Sequence, residues 1–172
     1  MINLWIGDNY SRLRILVLGE SWYGQLEPLS DYLNRWSAKE LNDTTFSRIY
    51  KACTGENASR SSIEQRKTYW NGVAFYNFIV DSVGPSRCDR PNTTHFSAAQ
   101  EPFRKILSIS NPLGVWVLGK GQSKYSIPII ESCNITFEAV AHPTSYGLKT
   151  EKLRSSWLSL IDKIGIKQDR LR

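Results

Sequence analysis

"RILVLGESWYG", residues 14–24, decides how the rest of the chain is read. Four unbroken apolar residues, Ile15 to Leu18, end at Gly19, and a carboxylate, a hydroxyl and two aromatic rings follow at once. A short continuous apolar run closed by glycine reads as a strand buried on both faces. The polar groups just past it then stand at the strand's carboxyl end. Three later runs repeat the pattern: "VAFYNFIV" at 73–80, "VWVLG" at 115–119 and "TFEAVA" at 136–141.

Helical spacing fills the intervals. Leu41, Phe46, Ile49, Tyr50 and Cys53 lead to a stop at Gly55, and Pro102 is placed in the first turn of a helix carrying Phe103, Ile106 and Leu107. The last helix aligns Leu153, Trp157, Leu160, Ile161 and Ile164, with Thr150 as its cap and Gly165 as its stop. Strands alternating with helices predict an α/β fold, a three-layer α/β/α sandwich around a central four-stranded, mostly parallel sheet. Residues 1–172 are read as one domain. The stretch 84–100 is expected to be a loop on the active side, not a boundary.

The charge balance bears on partners. Lys and Arg total 22 against 16 acids, a formal charge of +6, which favours a polyanion and makes nucleic acid the leading expected partner. With 41% hydrophobic and 22% charged residues the chain reads as globular. Cys53, Cys88 and Cys133 are odd in number and form no Cys-x-x-Cys pair, so no disulfide framework, zinc site or iron-sulfur cluster is expected. No secretory leader or membrane span is read, and a cytoplasmic monomer without cofactor or metal is the expectation.

In open α/β sheets, ligands bind beyond the carboxyl ends of the strands. Those ends carry Glu20, Ser21, Trp22 and Tyr23 after the first run, Asn77 and Asp81 at the second, Lys120, Gln122, Ser123 and Lys124 after the third, and "HPTSYGL" (142–148) after the fourth. "LGESWYG", "GVAFYNFI" and "AHPTSYGL", in that order, resemble the uracil-DNA glycosylase superfamily: a glycine-led motif after the first strand, a strand presenting a base-reading asparagine, and a His-Pro-Ser type motif after the last. The resemblance spans roughly residues 14–160. It departs from the family's Gly-Gln-Asp-Pro-Tyr-His pattern, because Ser21 stands at the aspartate position, Trp22 at the proline position and Gly24 at the histidine position.

The resemblance implies a monofunctional DNA glycosylase that flips a pyrimidine nucleotide out of the helix and leaves an abasic site. Breaking the N-glycosidic bond builds positive charge on the sugar and negative charge on the departing base. Glu20, or Asp81 from the neighbouring strand, would answer the first, and His142 the second. Asn77 would read the base with either amide orientation. Phe46 would stack on the base or pack in the core, and Tyr23 would crowd the pyrimidine C5 position, with Ser21 and Trp22 beside it. Leu148, flanked by Tyr146, would enter the vacated stack, while Thr144, Ser145, Lys149, Lys152, Lys120 and Lys124 would face the DNA backbone. The expected base is uracil or a modified cytosine, such as glucosylated hydroxymethylcytosine of phage DNA; the latter would serve antiviral defence.

Two other chemistries fit some of the same residues. Ser21 with His142 suggests a serine esterase of the Gly-Asp-Ser type, although the residue three before His142 is Ala139 and not an acid. A nucleic-acid binding module without catalysis is the other.

Overall fold

A computed structural model describes residues 3–23, 26–85 and 89–166; Gly24 and Cys88 lie outside them. Five strands form one sheet: β1 (Leu4–Ile6), β2 (Ile15–Gly19), β3 (Ala74–Asn77), β4 (Gly114–Leu118) and β5 (Thr136–Val140), in the order β1-β3-β2-β4-β5. Four strands run parallel; β1 pairs antiparallel with β3, setting Trp5 opposite Phe75. The expected four strands are therefore five, and the run at 73–80 contributes only four residues to its ladder. Past Asn77 the chain still follows β2, with the Phe78 and Ile79 amides donating to the carbonyls of Gly19 and Glu20 at 2.9 and 3.0 Å.

Every residue of β2 and β4 is buried, as the apolar runs require. Alternation along β2 divides them: Ile15 and Val17 join one core cluster, Leu16 and Leu18 the other. The first cluster packs under α1 (Leu29–Ser37), α2 (Thr44–Thr54), α3 (Ile63–Asn71) and α6 (Thr150–Lys163). The second packs under α4 (Thr93–Ser110) and α5 (Lys120–Ser132). The result is the expected α/β/α sandwich.

Two helix starts differ from expectation. Asn92 and His95 form a capping box, each side chain bonding the other's backbone N–H at 3.1 and 3.2 Å, so α4 begins at Thr93 and Pro102 lies in its interior. The helix tolerates the missing N–H because Phe96, Ala99, Phe103, Ile106 and Leu107 are buried on both sides of it. Much of the expected loop at 84–100 is therefore helix. In α6 the cap position belongs to Lys149, Thr150 being the first helical residue; Gly165 does end it, with φ +69°. In α2, Asp43 caps the start through the Phe46 amide at 3.0 Å, and Gly55 stops it at φ 85°.

Among the described residues, no helix is long and apolar enough to cross a membrane, and no group of three or more His, Cys, Asp or Glu is placed to hold a metal ion.

Candidate functional site

The strand that leads the chain into the first layer is flanked by two that lead into the opposite one. β2 runs on to α1, whereas β3 and β4 run on to α4 and α5. Loops diverge above β2, and a pocket of about 210 Å³ opens there. Gly19, Ser21, Trp22 and Tyr23 come to it from the end of β2, Phe75 and Asn77 from β3, Leu118 from β4, and His142 and Pro143 from the loop after β5. The structure thus unites Asn77, Phe46, Tyr23, Ser21, Trp22 and His142, six of the residues expected at the site. Its volume is below the roughly 300–1,000 Å³ of pockets for drug-sized ligands, which suits a single small ring.

Asn77 is a free polar group of the pocket. Its amide makes no hydrogen bond to any described residue, and it occupies the space left by the missing side chain of Gly19. Phe46 serves two roles at once. It is 4% exposed and touches Tyr32, Trp36, Trp70 and Phe75 with ring centroids 5.2–6.4 Å away, yet it also lines the pocket. The core therefore holds it as a fixed wall.

At His142, the Thr144 amide donates to Nδ1 at 3.3 Å, and the Thr144 hydroxyl lies 3.0 Å from the same nitrogen. An amide N–H cannot accept, so in the neutral ring Nδ1 is bare and the proton sits on Nε2. The imidazole is thereby set as a donor. This disfavours the esterase chemistry, in which Nε2 must take the serine proton. The Ser21 hydroxyl is buried without a hydrogen-bond partner, so it is not paired with His142.

Glu20 departs from expectation. Gly19 and Ser21 line the pocket, but the carboxylate between them turns to the other side, where Oε2 accepts the Gln122 amide at 3.4 Å at the start of α5. Side chains alternate at a strand's end as they do within it. Burial raises its pKa, against the lowering effect of the Gln122 and Gly121 amides and of Arg90. Glu20 therefore stands in the crevice between β2 and β4, next to the pocket and not inside it. Asp81 is exposed and is not in the pocket either.

Two carboxylates that strand-end reasoning missed do line it. Asp43 Oδ1 caps α2 and Oδ2 accepts the Tyr32 hydroxyl at 2.7 Å; Glu27 pairs with Arg35 at 2.9 Å. The Asp-x-x-Phe cap leading α2 was the available signal, because it puts Asp43 and Phe46 on the same turn.

The loop 142–148 carries the expected wedge, Leu148. Leu148 is half-buried, packed against the core under α2 and α6, and its carbonyl accepts the guanidinium of Arg48. Tyr146 stands clear of the surface, 107% exposed. A second concavity of about 330 Å³ begins at this loop, lined by Lys120, Ser123, Ser145, Tyr146, Leu148 and Lys152 among others. Thr144 is exposed and held to His142, while Lys149 and Lys124 are exposed and line neither concavity. Comparison with protein-family models and with curated proteins finds no match to this chain.

Proposed function

We propose that the protein is a monofunctional DNA glycosylase acting on an extruded pyrimidine nucleotide. The observation that carries this reading is the unpartnered Asn77 amide in a one-ring pocket walled by Phe46 and lined by His142. An amide presents a donor and an acceptor side by side, which matches the edge of a pyrimidine, and an aromatic wall suits its face. As the bond between C1′ and the base nitrogen breaks, its electron pair leaves with the base, and His142 Nε2–H is the donor for the resulting anion. Water adds to C1′ and its proton ends on the departed base anion, leaving an abasic site and the free neutral base. Glu20 is the carboxylate assigned to the sugar cation, from the crevice beside the pocket. Among the described residues no lysine lines the pocket, so a Schiff-base lyase step is not part of the reading. The base is uracil or a modified cytosine, and in the second case the biological role is defence against phage.

The test is a panel of oligonucleotides carrying uracil, hypoxanthine, mismatched thymine, hydroxymethylcytosine or its glucosylated form, each incubated with the protein and then cleaved with alkali. Strand breakage at one of these bases is expected; breakage at none of them refutes the reading. One observation favours a second reading, a nucleic-acid binding module without catalysis: the Glu20 carboxylate is held by α5 and lies outside the pocket. DNA binding with no base released would select it.

A further inference from the structure

The second concavity is left unexplained by base excision. It is wider than the base pocket, about 330 against 210 Å³, and the loop 142–148 serves as a wall to both. Pro143 lines the first and Ser145 the second, two residues and at most about 7 Å of chain apart. Two consecutive units of one polymer fit that spacing.

Two lysines and one aromatic ring stand in its lining among serines and small apolar residues. Lys120 opens α5 and Lys152 lies in the first turn of α6; both are exposed, and neither pairs with a carboxylate among the described residues. A cation in the first turn opposes the helix dipole, a small cost that an anionic ligand turns into a gain. Tyr146 at the rim stacks on no other ring among the described residues and contributes nothing to the core.

We propose that this concavity is a second nucleotide site, which takes the nucleotide next to the extruded one, its base on Tyr146 and its phosphate between Lys120 and Lys152, and so directs the protein to single-stranded DNA. The inference rests on reading the first pocket as the base site. In a duplex with one base extruded, the neighbouring bases stay stacked, and an inserted side chain needs no cavity beside it. A tyrosine bordering a cavity larger than the base pocket is arranged to receive a base, as stacking platforms for single strands are.

The experiment measures fluorescence anisotropy of a labelled oligothymidine strand and of the same strand in duplex, neither carrying a scissile base, across a salt series with the full chain. The strand is expected to bind at least about tenfold tighter than the duplex. Tyr146→Ala should lose about tenfold on the strand, and Tyr146→Phe should retain it. Lys120→Gln and Lys152→Gln should each reduce the slope of log affinity against log salt by about 0.7. Circular dichroism verifies that each variant is folded. Equal affinity for strand and duplex, or undiminished strand binding by Tyr146→Ala, overturns the proposal. Strand binding without base release in the panel assay would sink the glycosylase reading and leave this site standing; base release with duplex preferred would do the reverse.

Discussion

Gly19 and Asn77 face each other across the β2–β3 pair, and a methyl group added to Gly19 would overlap the Asn77 Oδ1 while standing 3.0 Å from the Phe75 ring. The glycine is there for clearance, since it ends a strand without a left-handed backbone. Gly19→Ala is expected to drive the Asn77 amide from its position and cut base release about a hundredfold or more. Overpacking of this kind costs about 1–3 kcal/mol, so the variant should still fold. Denaturant unfolding and the oligonucleotide assay, run on one preparation, separate the two effects.

Asn77→Ala should show the opposite balance. The amide bonds no described residue, so its loss removes nothing from the fold, and stability should stay within about 0.5 kcal/mol of the parent. Base release should fall by at least about a hundredfold, because a pocket built around a polar contact discriminates strongly when that contact is lost. A variant as active as the parent would remove Asn77 from the reading.

The strands and most of the pocket were legible because one physical signal marks both. Ile15–Leu18 and Val115–Leu118 are buried on both faces, so they read as unbroken apolar runs, and the polar residues after them must emerge at one end of a parallel sheet. β1 was hidden because three residues, Leu4–Ile6, carry no periodicity and take their conformation from pairing with β3. The start of α4 was hidden because its capping box uses Asn92 and His95, outside the usual Ser/Thr and Glu/Gln pair. Glu20 was chosen by its position after the strand and in the motif, without regard to the side its carboxylate faces. Counting in twos from Gly19, whose face is shared with Ser21, would have put its carboxylate on the far side.

Glu20 gives a pH signature with a definite sign. Burial raises its folded-state pKa above the ordinary 4.5, so the native state holds its proton over a pH range where the unfolded chain has lost it. By linkage, its contribution to stability falls as pH rises through that window and is fully unfavourable above it. Glu20→Gln, which mimics the protonated form, should therefore unfold at a higher temperature than the parent at pH 7, with the gap closing below about pH 4.5. If Glu20 meets the sugar cation, the same variant loses base release by orders of magnitude while still binding DNA. Thermal unfolding across pH, paired with the release assay, checks both.

Two arginines tie the walls of the site together in opposite directions. Arg48 of α2 donates to the carbonyl of Leu148 in the loop before α6, and Arg154 of α6 donates to the carbonyl of Ala52 near the end of α2, at 3.0 Å. Only the first lies at the pocket end, two residues from Phe46 on one side and six from His142 on the other. Removing either should cost stability by about 1–3 kcal/mol, since the carbonyl is left without its charged donor. Only Arg48→Ala should also lower kcat, because it frees the loop whose Thr144 amide fixes the His142 ring. Arg154→Ala, bonded about one helical turn farther along α2 at a residue that does not line the pocket, should leave kcat and KM unchanged. Matched kinetics and unfolding curves for the two variants decide it: equal kinetic losses would mean that the arginines act through stability alone.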